Sequence, residues 1–458
     1  MHQLHPTPLA RRKVYFVVVG VINTLILVSV YFAYNRLPAH PSFTKPQNST
    51  PPFSEYLRLS TPDPSAGLAN PWTPLSLSRC DFGMPAYYAP CVARTLGNVV
   101  YAEELLYPDF EIREPYFARE EHRERWRDAV SAIKDRGVLN SGWVQYKGQS
   151  GQNFVFKNVT YTRSFSFDSW SPESCMSELV STSPIRPLTD EPRTSSLLPT
   201  VLIAVSPDSY SFQHHLDRVT HIIAQGSHLT SGSSSQPYVV TGRKGSKTVQ
   251  QLWERLGYDK EHVLYNKHGA KAEMMIFSCR AVLIHPWLSL KTLESLGVVY
   301  MSRSDGRTAN PGRRVVNEDE VLAGIKGFLT ERNRGEELVV FNPDEFENTD
   351  QLFSWFTSNV VAVIGPHGGS MINHRWATKD TLVIEFMPTT RTAMMIYEEA
   401  SVLSQTYATI IVEPTDPAGT DMEIAVEDVL SLLREHLGVA GEDPLKKSYH
   451  WRAKELGL

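Results

Sequence analysis

Short apolar runs alternate with stretches of helical period along most of this chain. Val201 to Val205 is a run of the fully buried kind, followed by helical spacing from Phe212 to Gln225 and a Gly/Ser-rich stretch from Gly226 to Gln236. Tyr238 to Val240 and His262 to Tyr265 read as strands around a helix Thr248 to Leu256, and Val282 to Ile284 is one more short run. Upstream, the highly charged residues 120–136 place Trp126, Ala129, Val130 and Ile133 at helical spacing. From Gly297 the alternation resumes, with strands expected at Val298 to Ser302, Leu338 to Phe341, Val360 to Ile364, Leu382 to Phe386 and Thr409 to Val412. Asn317 has Glu320 three positions on, a capping-box pair that starts a helix. The acidic amphipathic stretch Asp421 to Leu437 is a closing helix. Buried-type strands separated by helices predict an α/β fold with parallel sheets covered on their faces. They fall into two Rossmann-like lobes, an N-terminal one over 76–295 and a C-terminal one over 296–458.

The N-terminus breaks this pattern. Residues 1–13 end in Arg11-Arg12-Lys13, and Val14 to Tyr34 then runs without a charge, long enough as a helix to cross a hydrocarbon layer of roughly 30 Å. The basic cluster ahead of the span predicts a cytosolic tail, a transmembrane signal anchor at 14–34 and a lumenal body, a single-pass type II arrangement. A cleaved signal peptide is the rival reading, but the span is longer than a usual apolar signal core and no small-residue cleavage site stands out. Residues 35–75, rich in Pro, Ser and Thr, read as a stem. Two sequons, Asn48-Ser49-Thr50 and Asn158-Val159-Thr160, fit a lumenal body, although Pro51 makes the first a poorer substrate. The four cysteines, Cys80, Cys91, Cys175 and Cys279, could pair in three ways in an oxidising lumen, with Cys80–Cys91 the first choice. At 458 residues the chain exceeds one typical core, and its net charge of −5 argues against a nucleic-acid partner.

The densest candidate chemistry lies in residues 359–388, which spell strand, glycine turn, helix and strand. The turn Gly365-Pro366-His367-Gly368-Gly369-Ser370 stands at the carboxyl end of a strand, where paired glycines admit a ligand to the backbone and a helix start offers N–H groups to an anion. A purely structural turn fits the same spacing. Upstream, Arg303, Arg307, Arg313 and Arg314 crowd the loop after Val298 to Ser302, and guanidinium groups match phosphate oxygens in bidentate geometry. Together they could neutralise a diphosphate without a metal. In Ser211-Phe212-Gln213-His214-His215-Leu216-Asp217 an imidazole and a carboxylate share a helix face, as a general base held in one tautomer requires; a surface helix with two histidines reads the same way. No H-E-x-x-H, P-loop lysine, G-x-S-x-G or D-x-D occurs, and no cysteine spacing matches a zinc site.

These pieces together resemble glycosyltransferase family 61. The likeness rests on Ile364-Gly365-Pro366-His367-Gly368 with Asn373, on Val383-Ile384-Glu385-Phe386-Met387-Pro388, and on Tyr300-Met301-Ser302-Arg303 with Arg313-Arg314-Val315-Val316-Asn317-Glu318. His214, His215 and Asp217 stand where the family carries N-x-x-H-x-x-x-D, with Ser211 in place of Asn and the Asp one residue early. The run Gly369-Ser370-Met371-Ile372 also departs from the usual A-G-L-T order. The resemblance, over about residues 200 to 415, implies a GT-B fold and an inverting, metal-independent transferase of the secretory pathway. It implies a UDP-sugar donor, with N-acetylglucosamine or xylose as the sugar, and a protein or glycan acceptor; no cofactor or metal is expected. Arg303, Arg313, Arg314, Gly365, His367, Gly368, Gly369, Asn373 and Glu385 would then bind the donor, Glu385 through the ribose or by orienting the turn. His214, His215 or Asp217 would supply the base. The alternatives are a non-catalytic lumenal nucleotide- or glycan-binding protein on a degenerate scaffold, and a lumenal hydrolase using the His/Asp helix.

Overall fold

A computed structural model describes residues 14–18, 72–133, 136–139, 141–163, 172–188, 196–206, 209–230, 236–279, 285–296, 313–342, 346–416 and 419–447. The strands, in chain order, are β1 (Val14–Val18), β2 (Leu75–Leu77), β3 (Val99–Leu106), β4 (Phe110–Arg113), β5 (Arg136–Leu139) and β6 (Trp143–Tyr146). Then come β7 (Ser150–Tyr161), β8 (Ile185–Pro187), β9 (Leu198–Ile203), β10 (Tyr238–Thr241), β11 (Val263–Tyr265) and β12 (Ala270–Cys279). The last five are β13 (Glu336–Val340), β14 (Val360–Pro366), β15 (Leu382–Pro388), β16 (Thr406–Val412) and β17 (Leu445–Lys447). The chain divides into two compact units, and both are α/β.

The N-terminal unit comprises Asn23–Phe110, Lys147–Gly297 and Lys447–Leu458. Its sheet runs β11-β10-β9-β12-β7-β3-β2, with β8 beside β7. Strands β9 to β12 pair in parallel, as the alternation of apolar runs and helices predicts. The other half is antiparallel, β12 with β7, β7 with β3 and β8, and β3 with β2. The sheet is therefore mixed rather than parallel throughout. This half is hidden in the sequence because its buried positions are polar and satisfy one another. Asn153 Nδ2 donates to Glu103 Oε1 at 2.7 Å, and Gln152 Nε2 donates to Glu104 Oε1 at 2.8 Å, all four side chains being buried. Phe154, Phe156, Val201, Ile203, Met275 and Phe277 form the core beneath. Disulfides Cys80–Cys91, as expected, and Cys175–Cys279 both lie in this unit.

The C-terminal unit gathers Met1–Ile22, Glu111–Tyr146 and Val298–Lys446. The segment Glu111–Tyr146 thus packs with this unit, although it precedes the expected lobe boundary in sequence. Its helix Glu120–Ser131 buries His122, Trp126 and Val130; the His122 ring meets the Ile411 carbonyl of β16 at 2.9 Å, and Trp126 packs edge-on to Tyr397. The main sheet has the order β13-β1-β14-β15-β16 and is parallel throughout. A smaller sheet, β17-β4-β6-β5, falls mostly in this unit.

Three local expectations change. Val14–Val18, expected in the transmembrane helix, is strand β1 between Glu336–Val340 and Val360–Ile364. A β-branched and aromatic run such as Val-Tyr-Phe-Val-Val suits a buried parallel strand as well as a membrane helix. The rest of that span lies outside the described residues, among which no helix is long and apolar enough to cross a membrane. Asn317 stands at the N-cap of the helix Glu318–Arg332 as expected, but its side chain makes no capping bond; its amide instead clamps Ile424, donating to the carbonyl at 2.9 Å and accepting from the N–H at 3.0 Å. After the glycine turn the expected helix is a 3-10 segment, Met371–Trp376. The predicted strands at Val282 to Ile284 and Val298 to Ser302 lie outside the described residues.

Candidate active site

Parallel register aligns the chemistry at the carboxyl end of the C-terminal sheet. Gly365 of β14, Glu385 of β15 and Thr409 of β16 are neighbours across three strands. Beyond β14 the chain turns so that the His367 N–H reaches the Phe386 carbonyl at 2.9 Å, and the Met371 N–H closes the turn on the Gly368 carbonyl at 2.9 Å. This brings His367 Nδ1 to 2.5 Å from Glu385 Oε1. A carboxylate only accepts, so Nδ1 carries the proton and Nε2 is directed away from Glu385. Glu385 is completely buried, and its second oxygen accepts from the Tyr407 hydroxyl. Burial, reinforced by the charge of Glu385, pushes the Tyr407 phenol well above its usual value, so it stays protonated and donates. Glu385 thus ties the His367 side chain to β16 through Tyr407.

The turn rests on a buried polar bed. Asn373, on the 3-10 segment, donates to the Ser370 carbonyl at 2.9 Å. His374 Nδ1 meets Gln405 Oε1 at 2.7 Å while Gln405 Nε2 donates back to the His374 carbonyl at 2.8 Å. Burial lowers the His374 pKa, which favours the neutral ring. Arg375 pairs with Glu399 beside it. Asn373 thus ties the 3-10 segment back to Ser370 at the end of the turn, and Gln405 ties the same segment to the chain before β16.

The two adjacent arginines diverge. Arg314 is exposed and spans Asp421 with two bonds at 3.0 and 2.7 Å, so its guanidinium is engaged on the surface. Arg313 is buried, in left-handed backbone (φ 64°), with its N–H bonded to Thr420 Oγ1 at 3.0 Å. Burial, then the like charge of Arg391, brings its guanidinium down to about 10, against the pull of Glu385. It remains cationic at neutral pH. No ion pair holds Arg313 or Arg391 among the described residues. Sequence reasoning missed Arg391 and Tyr407. Arg391 ends the 3-10 turn Thr389–Arg391 directly after β15, so the rule that picked the upstream arginines, cations just past a strand's carboxyl end, would have found it. Tyr407, inside a strand, carries no such signal. Arg303 and Arg307 lie outside the described residues.

In the N-terminal unit the His/Asp segment follows the carboxyl end of β9. Ser211 caps it, its hydroxyl accepting from the His214 N–H at 3.4 Å. His215–Val219 form a π-turn, placed where the Asp departs from the family spacing. His215 is fully buried edge-on to Trp253 at 4.8 Å, and burial lowers its pKa to about 3. Its ring packs inside the unit, where His214 is the more exposed of the two. His214 is partly exposed, its Nδ1 3.5 Å from Asp217 Oδ1, which also lies 3.6 Å from Arg218 Nε. A Cβ at Gly242, after β10, would lie 2.3 Å from Ser209 Oγ, so that hydroxyl would have to turn away. Among the described residues no group of three or more His, Cys, Asp or Glu side chains is placed to hold a metal.

Residues 184–384 match the family model Glycosyltransferase 61, the family that the sequence motifs resemble. The match includes the His/Asp segment, Arg313 and the glycine turn, and stops one residue before Glu385. No curated protein matches the chain.

Proposed function

We propose that the chain transfers a sugar, N-acetylglucosamine or xylose, from a UDP-sugar to a protein or glycan acceptor with inversion and without a metal ion. The observation that carries this reading is Arg313, which feels the charges of Arg391 and of Glu385, the carboxylate that fixes the His367 ring with Tyr407 on its other oxygen. Two guanidinium groups whose charges oppose each other gain from a further anion placed between them. A diphosphate supplies that charge, and the arginines supply what a metal supplies elsewhere. His367 Nε2 faces the phosphate or donor sugar, and the Gly368-Gly369 backbone lines the turn. The acceptor hydroxyl attacks the anomeric carbon as the bond from that carbon to the UDP oxygen breaks. The hydroxyl proton passes to a general base; His214, whose imidazolium Asp217 would stabilise, is the candidate for that role. Arg314, tied to Asp421, has no direct part. The reading assigns donor binding to the C-terminal unit and acceptor binding to the N-terminal one.

Two disulfides in one unit support a body in the lumen of the Golgi or endoplasmic reticulum. An anchor over 14–34 would withdraw β1 from its sheet, so membrane attachment has its own test. Carbonate-resistant association of the full chain with membranes supports the anchor; release into the soluble fraction refutes it. Non-catalytic nucleotide binding is a second reading, favoured by the burial of His215 and by the long 3.5 Å His214–Asp217 approach. UDP release from UDP-sugars in the presence of lumenal glycoprotein acceptors separates the two. Release that His214→Ala abolishes supports transfer; binding of UDP without release sinks it.

A further inference from the structure

We propose that Asn158 is an attachment site for an N-linked glycan, an inference that rests on the lumenal reading above. Strand β7 changes partners at this residue. Its pairing with β3 ends at Phe156, opposite Val99, and its pairing with β8 begins at Val159, opposite Pro187. Between the two, Asn158 adopts left-handed backbone (φ 52°), a conformation asparagine tolerates better than most residues. The break in pleat leaves Lys157 and Asn158 both exposed, where an undisturbed strand would turn one of them inward. The Asn158 backbone is held, its carbonyl accepting from the Leu188 N–H at 3.0 Å and from Asn98 Nδ2 at 3.2 Å. Its side-chain amide has no partner among the described residues. The seam thus presents a fixed, outward amide with Thr160 two residues on, the geometry and sequence that lumenal glycosylation requires.

In that step Asn158 Nδ2 displaces the diphosphate of a lipid-linked oligosaccharide at its anomeric carbon. A C–N bond forms, the C–O bond breaks, and the amide proton leaves to the base of the lumenal oligosaccharide transferase. Register places the product away from the proposed base. Val159 pairs with Ala272 of β12, which pairs with Leu198 at the start of β9, whereas the His214 segment follows the end of β9. Six residues of strand separate the two edges, roughly 20 Å at about 3.3 Å per residue. The glycan therefore covers the amino edge of the parallel strands and leaves the carboxyl edge open.

The full chain, made in a secretory eukaryotic host, is digested with peptide-N-glycosidase and resolved by mobility, with thiol alkylation reporting the cysteines. The expected result is a glycan that Asn158→Gln and Thr160→Ala both remove, that Asn48→Gln leaves in place, and whose loss leaves transfer unchanged. Thr160→Ala keeps Asn158 at its left-handed position, so the pair separates loss of the sequon from damage to the seam. A chain with four oxidised cysteines and no glycan lost in these variants overturns the Asn158 assignment alone. Free cysteines together with no glycan overturn the lumenal reading as well.

Discussion

Tyr407→Phe removes one hydroxyl and nothing else, which makes it a sharp probe of the His367–Glu385 arrangement. Glu385 is fully buried, so the oxygen that Tyr407 serves loses its donor with no solvent to replace it. A hydrogen bond to a buried charge contributes about 1.5–3 kcal/mol. Loss of that amount lowers the melting temperature of a unit of this size by roughly 3–12 °C. If about 1 kcal/mol of it is felt at His367, UDP affinity falls roughly fivefold. Thr409→Val is a milder perturbation of the same cluster, since Thr409 Oγ1 bonds the Glu385 carbonyl at 3.0 Å and also meets the Tyr407 hydroxyl. It should cost about 1 kcal/mol of stability and lower UDP affinity less than Tyr407→Phe does. Scanning calorimetry and titration calorimetry with UDP measure the two quantities on both variants. Tyr407→Phe with unchanged melting and unchanged UDP affinity would refute the reasoning that the phenol sustains the buried carboxylate.

Arg391→Ala should weaken UDP binding by tenfold or more, whereas Arg314→Ala should leave it within about twofold, because Arg314 is committed to Asp421; a filter or calorimetric binding assay distinguishes them. His215 and His285 are buried with pKa values near 3. The unfolded chain takes up their protons near pH 6.5 and the folded chain does not, so stability is full above that pH and falls as pH drops toward about 3. At pH 5 the two together should remove about 4 kcal/mol, read as a lower urea midpoint by tryptophan fluorescence, to which Trp253 beside His215 contributes. Breaking Cys175–Cys279 by a double Cys→Ser substitution opens a loop of sequence separation 104 and should cost about 4–5 kcal/mol. Breaking Cys80–Cys91, with separation 11, should cost roughly 3 kcal/mol or less, as urea titration of each variant would show.

The sequence shows most clearly those parts of the fold that use apolar residues for burial. Strands β14, β15 and β16 are runs of Val, Ile, Leu and Phe, and the turn between the first two is marked by glycines, so both strands and turn are legible. Strands β3 and β7 are not, since Glu103, Glu104, Gln152 and Asn153 look solvent-facing until their mutual bonds are known. Val14–Val18 fails for the opposite reason, being apolar enough for either a strand or a membrane. In the candidate site, His367 and Glu385 are visible through a motif, but their direct bond follows from parallel register, which spacing alone does not give. Arg313 and Arg314 are indistinguishable as letters; the left-handed backbone at Arg313 sends one inward and the other to Asp421. His215 shows the same limit, since only its packing on Trp253 identifies it as core.

The central claim is that the carboxyl end of the C-terminal sheet binds a nucleoside diphosphate through Arg313, Arg391 and His367. Thermal shift of the intact chain with UDP and with UDP-sugars, in the presence of a chelator, tests it most directly. Stabilisation should rise with ligand concentration as mass action requires, by about 2.7 kcal/mol at a hundredfold excess over Kd, and should be lost in Arg313→Ala and Arg391→Ala. The absence of any shift with UDP or a UDP-sugar, or a shift that survives in both arginine variants, would contradict it.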